Sequence, residues 1–121
     1  MTEQLGSFDV SLPDSLTGIN ESADSMAIEV LLEDGKTVVS IDCSCCTELL
    51  SSRLPGGVLI PIASALKTFF ERSGMRNLDI EVRGNVMRRI YEGEMEASMV
   101  ETMASRVKHS VKEFARKRNN T

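Results

Sequence analysis

The chain has 121 residues, of which 41% are hydrophobic and 26% are charged, and its formal net charge is −4 at pH 7. This length suits one domain with a single modest core, and the composition is typical of a globular protein. The absence of an apolar run of roughly 18 residues argues against a membrane span. An N-terminus without basic or apolar segments predicts no secretory signal. The acidic total and an aromatic content of 4% argue against a nucleic-acid partner.

The first 24 residues form an acidic segment with no sustained hydrophobic period. They are rich in Ser, Asp, Gly and Thr, and no lysine or arginine occurs before Lys36. This composition predicts a flexible acidic arm over residues 1–24. Near its end, Ser22 lies between the carboxylates Glu21 and Asp24. A serine in this setting is either a turn or cap residue or an attachment point for a prosthetic group.

Alternating apolar and polar residues predict a β-hairpin after this arm. The two strands cover residues 26–33 and about 37–43, and Asp34-Gly35 separates them. This dipeptide is typical of a type I′ turn, in which both central residues need positive φ. A two-residue turn places Val30 opposite Val39, so the apolar faces of the strands coincide.

A cysteine cluster, Cys43, Cys45 and Cys46, follows the second strand. Three cysteines in one short cluster do not suit a disulfide framework and fit a reducing cytoplasm. Small buried cysteines are common in cores, and we favour this interpretation. A redox thiol at the start of a predicted short helix or turn, 47–53, and a metal site remain alternatives. A tetrahedral metal site needs a fourth ligand, and the single histidine, His109, is remote in the sequence.

A helix and a second hairpin are predicted next. Pro61 suits a first helical position, and Gly74 is placed to end the helix in the left-handed conformation. The apolar stripe between them consists of Ile62, Leu66, Phe69 and Phe70. Residues 78–83 alternate as a strand, and Gly84-Asn85 turns the chain into a fourth strand, 86–91. Two consecutive arginines in that last strand mean that one must share a face with apolar neighbours.

A long helix is predicted from Gly93 to about Lys117, and its end carries clustered cations that complement the helix dipole. Its apolar residues recur every four positions and are Met95, Met99, Met103, Val107 and Val111. Residues 106–121 are interpreted as a basic helical extension that could attract an acidic partner. The order of elements predicts an α+β fold, with helices packed on one face of a small, mainly antiparallel sheet.

Around Ser22 the chain resembles the acyl carrier protein (gamma subunit) family of citrate lyase, and more distantly the acyl carrier subunit of malonate decarboxylase. Residues 18–24 carry the family's Ser-x-Asp signature just before the first strand. The similarity continues through residues 26–30, 65–72, 77–82 and 94–97. Residues 25–105 would then be the acyl-carrier-like domain.

The resemblance implies that Ser22 carries a covalently attached phosphoribosyl-dephospho-coenzyme A group, whose thiol holds an acetyl or citryl thioester. Glu21 and Asp24 would be recognition residues for the prosthetic-group transferase, and Ser25 is an alternative attachment site. The protein would be a non-catalytic subunit of a cytoplasmic lyase complex, with lyase and acyl-transferase subunits as partners. No metal site and no catalytic residue of its own is expected.

Two other hypotheses come from the residues rather than from the resemblance. The basic C-terminal helix could dock an acidic partner, which would make the protein a small interaction module. The cysteine cluster could instead serve a metal or redox carrier.

Overall fold

A computed structural model of the protein describes residues 2–11, 25–42, 59–84 and 86–119. These residues form an antiparallel sheet and two helices. The strands are β1 Thr2–Ser11, β2 Ser25–Glu33, β3 Lys36–Asp42, β4 Asn77–Arg83 and β5 Val86–Glu92. The helices are α1 Leu59–Arg72 and α2 Met99–Asn119. The five strands lie in the order β1-β2-β3-β5-β4 and every neighbouring pair is antiparallel. The predicted α+β fold is confirmed.

The core lies between the helices and one face of the sheet, which we call the helix-side face. Burial of apolar surface on this side is the main favourable contribution to folding. From the sheet the core takes Val10, Met26, Ile28, Val30, Val39, Ile41 and Tyr91. From the helices it takes Ile62, Leu66, Phe69, Phe70, Val100, Met103, Val107 and Val111.

Strand β1 corrects the prediction of a flexible arm. It pairs with β2 so that Val10 lies opposite Met26, and Val10 is only 1% exposed. A bulge between Gln4 and Gly6 shifts the register and breaks the period of two that a strand normally shows. Polar residues on the opposite face dilute the remaining apolar signal. The rest of the predicted arm, residues 12–24, lies outside the described residues.

The first hairpin is confirmed in its register and its turn. Val30 lies opposite Val39, and Ile28 lies opposite Ile41. Asp34 has a φ of 50° and Gly35 a φ of 78°, as a type I′ turn requires. Local turn chemistry therefore determines this part of the fold.

The second hairpin shows which face of the sheet each of the two consecutive arginines occupies. Arg89 pairs with Val39 across β3 and shares the helix-side face with Tyr91. Arg88 pairs with Ser40 and lies on the opposite face of the sheet, as Ile90 does. Each arginine therefore shares a face with an apolar neighbour.

The helices differ from prediction mainly where α2 begins. Helix α1 ends before Gly74, whose φ of 73° is left-handed, as predicted. Helix α2 begins at Met99 rather than at Gly93, where the φ is 95°. It continues without a break past Arg106, and Val107 is fully buried. The predicted basic extension is thus the second half of a core helix. The predicted short helix or turn at 47–53 lies outside the described residues.

Candidate functional site

One end of the sheet, which we call the Ser25 end, holds the described residues that border the segments in which the sequence predicts chemistry. Ser11, the last residue of β1, pairs there with Ser25, the first residue of β2. Strand β3 ends at the same side of the molecule with Asp42, which pairs with Val86. Val86 in turn pairs with Arg83 at the turn between β4 and β5. The chain stretches 12–24 and 43–58 therefore both connect to this end.

The predicted attachment residues Ser22, Glu21 and Asp24 lie outside the described residues. Strand β2 begins at Ser25, which agrees with a serine signature placed just before the first strand of the carrier-like domain. Ser25, the alternative attachment residue, is itself paired in the sheet. The structure therefore gives the position where this segment joins the sheet, and the role of Ser22 stays a prediction.

The cysteine cluster at Cys43, Cys45 and Cys46 also lies outside the described residues. Within the described ranges, no group of three or more His, Cys, Asp or Glu side chains could hold a metal ion. His109 lies exposed on α2. The hypotheses of metal binding and redox chemistry stay untested.

A polar groove between α1 and α2 contains His109. Ser64 and Thr68 line one wall, and Ser105, Arg106 and His109 line the other, around a volume of 420 Å³. None of the described residues that line this groove carries a carboxylate. Hydroxyl and cationic groups without a competing carboxylate suit an anionic group of a ligand or partner.

A buried aromatic cluster supports the sheet beneath α1. The rings of Phe70 and Tyr91 stack with centroids 3.7 Å apart and planes 8° apart. Arg89 Nε donates a hydrogen bond of 2.9 Å to Tyr91 Oη. Burial raises the pKa of Tyr91 above its ordinary value, although the hydrogen bond and charge of Arg89 act in the other direction. The phenol is therefore neutral at physiological pH, and it serves as a structural hydrogen-bonding group.

The opposite face of the sheet carries a charged cluster that sequence reasoning missed. An Arg88 nitrogen contacts both carboxylate oxygens of Glu33 at 2.6 Å. Glu81 pairs with Arg88 across the strands, yet its Oε2 is shielded from solvent and has no hydrogen-bond partner among the described residues. The alternating charged residues of β4 and the two consecutive arginines of β5 were the only sequence signal, and their partners depend on strand order.

Strand β4 shows a further feature that the sequence did not predict. Its apolar residues, Leu78, Ile80 and Val82, are 39%, 45% and 65% exposed. Strand β4 lies at the edge of the sheet, and its one neighbour, β5, contributes Tyr91 to the core, whereas these three side chains do not belong to it. An exposed apolar edge of this kind is typical of an interaction surface.

Neither described helix has the length and apolar character needed to cross a membrane. Comparison of the chain with protein-family models, with curated proteins and with solved structures finds no match.

Proposed function

We propose that the protein is the acyl carrier subunit of a citrate-lyase-like complex, with phosphoribosyl-dephospho-coenzyme A attached to Ser22. The order of the elements after Ser22 carries this proposal. A β-hairpin, a helix and a second β-hairpin follow one another, as the resemblance to the citrate lyase carrier implies, and a long helix closes the chain. Residues 94–97, which resemble the family's final helix, are not helical and lie before α2. The first of these strands begins at Ser25, three residues after the serine.

The sheet offers a rigid anchor for such a group. Strand β2 is hydrogen-bonded to β1 on one side and to β3 on the other. Its residues Met26, Ile28 and Val30 are completely buried. Three residues of chain reach at most about 11 Å, so a group on Ser22 would stay tethered near the Ser25 end of the sheet.

The chemistry would lie in the thioester and in the partner subunits. A thioester makes the acyl carbonyl electrophilic and its neighbouring carbon more acidic, which favours acyl exchange and carbon–carbon cleavage. A long tether holds this thioester at high effective concentration near several partner sites. The carrier needs no general base of its own. Lyase and acyl-transferase subunits and the prosthetic-group transferase are its expected partners, and the complex would be cytoplasmic.

The mass of the intact protein tests the attachment. The chain is produced together with its prosthetic-group transferase, and intact-mass spectrometry is expected to show an addition of several hundred daltons. Ser22→Ala should abolish the addition. Ser25→Ala tests the alternative attachment site, and Ser7→Ala, at an exposed serine of β1, is the matched control. An unmodified mass in every sample would contradict the proposal.

The two neighbouring carboxylates have a separate role in the proposal. Glu21→Gln and Asp24→Asn are expected to slow loading without moving the attachment site, because they remove charge but keep size. Loading rates equal to those of the unsubstituted chain would exclude a recognition role for these residues.

A second candidate function, docking of an acidic partner, is favoured by the charges of α2. Arg106 and Lys112 are exposed and form no ion pair with any described residue, whereas Arg116 pairs with Glu113 at 2.7 Å. An unmodified protein that binds an acidic partner at low salt and loses it at high salt would favour this function.

A further inference from the structure

The two edges of the sheet are protected to different degrees. At the β1 edge, Val10 is 1% exposed, and Gly6 approaches Val100 of α2 so closely that a Cβ there would lie 3.0 Å from Val100 Cγ1. At the β4 edge, Ile80 and Val82 are 45% and 65% exposed although they lie on the helix-side face. Among the described strands, β4 therefore combines an edge position with uncovered apolar side chains.

The backbone of β4 also presents polar groups that point away from the sheet. Arg83 and Val86 close a two-residue turn and form a hydrogen-bonded pair. Pairs alternate along an antiparallel ladder, so the N–H and C=O groups of Val82 and Ile80 point away from β5. The Ile80 N–H donates to Asp79 Oδ1 at 2.8 Å, whereas the structure gives the backbone of Val82 no side-chain partner among the described residues. No described strand lies on that side of β4. Such an edge is a template for another strand.

We propose that β4 pairs antiparallel with β4 of a second copy of the chain, about a two-fold axis at Val82. The two five-stranded sheets then form one continuous sheet. Val82 lies opposite Val82 of the second copy as a hydrogen-bonded pair, since its backbone groups already point outward. Glu81 lies opposite Arg83 of the second copy, and the two-fold axis creates this pair twice.

The charges of β4 favour a two-fold axis at Val82 over an axis at a neighbouring residue. A two-fold axis at Ile80 would place Asp79 opposite Glu81 of the second copy, twice. A two-fold axis at Glu81 would place the two Glu81 carboxylates opposite each other. Like charges directly opposite on adjacent strands are destabilising, whereas opposite charges stabilise the pair. Only the axis at Val82 joins an acid to a base without opposing two acids.

Unpaired groups of the single chain agree with this register. Oε2 of Glu81 has no hydrogen-bond partner among the described residues, and the neighbouring Arg88 already contacts Glu33. Arg83 is exposed and forms no ion pair with any described residue. Glu81 is half-buried, so its carboxylate can turn to the sheet edge. There the second copy supplies a guanidinium donor.

Solution mass tests the dimer. Sedimentation velocity or light scattering of the full chain should give twice the monomer mass of 13.3 kDa. Val82→Lys should raise the dimer dissociation constant at least about tenfold, because it places two like charges at the centre of the interface. Ile60→Lys, at a site on α1 that is 56% exposed, is the control and should leave the dimer unchanged. A monomer at all concentrations, including one that binds a strand of another protein, would overturn the proposal.

Cysteine cross-linking tests the register in a chain whose three native cysteines are replaced by serine. With the axis at Val82, the two Cα atoms of that residue lie about 5.5 Å apart, within the range that a disulfide spans. Val82→Cys should therefore form a disulfide-linked dimer under mild oxidation. Ile80→Cys should not, because its copies are roughly 14 Å apart along the strands. Cross-linking at residue 80 but not at 82, or at neither, would refute this register.

Discussion

At the scale of single residues, Thr37 carries an unusual combination of burial and polarity. It is completely buried on β3 and is the only polar or charged residue buried to this degree within the described ranges. Its hydroxyl donates to the carbonyl oxygen of Gly93 at 2.8 Å and accepts from the N–H of Met95 at 2.9 Å. The two bonds hold the segment between β5 and α2 in a non-helical path. This explains why α2 does not begin at Gly93.

Replacing Thr37 by Val should therefore destabilise the protein more than its small change of shape suggests. Thr37→Val leaves the Gly93 carbonyl and the Met95 N–H without their partner, at a cost of about 1–3 kcal/mol. Thr37→Ser keeps the hydroxyl and loses only a methyl group, so it should cost about 1 kcal/mol. Urea unfolding followed by circular dichroism measures both. Equal stability of the two variants would contradict the role given to the hydroxyl.

At the scale of elements, the end of α1 shows how completely local chemistry can define a boundary. The N–H of Met75 donates to the carbonyl of Phe70 at 2.9 Å, and that of Gly74 donates to the carbonyl of Glu71 at 3.1 Å. This is the Schellman arrangement, with a left-handed glycine just after the helix. The sequence predicted this boundary because few residue types, glycine above all, adopt the left-handed conformation that it needs.

Gly74→Ala should lower the free energy of unfolding by about 1 kcal/mol, because alanine resists the left-handed conformation. An added Cβ would meet nothing within 4 Å, so backbone strain alone is expected to act. Gly74→Asn should cost less, since asparagine tolerates that conformation. Thermal unfolding of the two variants separates them. A cost for Asn as large as that for Ala would show that strain is not the cause.

At the scale of the whole molecule, β1 makes the N-terminal segment part of the fold. Phe8 and Val10 face the helices, whereas Ser7 and Asp9 lie exposed on the opposite face. Phe8 packs against the core, and Lys108 of α2 lies with its Nζ 6.0 Å from the centre of the Phe8 ring. If residues 2–11 were a flexible arm, substitutions at these four residues would not change the free energy of unfolding.

The double substitution Phe8→Ala/Val10→Ala should cost about 3 kcal/mol or more, because it removes apolar groups from the core. Its matched control, Ser7→Ala/Asp9→Ala, changes the exposed face of the same strand and should stay within about 0.5 kcal/mol. Denaturant unfolding of both variants distinguishes a strand from an arm. Equal free energies of unfolding for the two variants would contradict the strand and favour a flexible arm over residues 2–11.

The two hairpins, the turn at Asp34-Gly35 and the end of α1 at Gly74 could be predicted from local sequence alone. Each depends on contacts within a few residues, where periodicity and positive φ act directly. For the candidate site, the sequence indicated Ser22 just before a strand, and the strand does begin at Ser25.

Which strands lie at the edges of the sheet depends on long-range pairing. Strand β1 lies at one edge, and the apolar side chains of β4 are exposed at the other. The tertiary contacts also pair Arg88 with the Glu33 carboxylate and Arg89 with the Tyr91 phenol. These outcomes depend on pairing between residues far apart in the chain, and no local period encodes strand order.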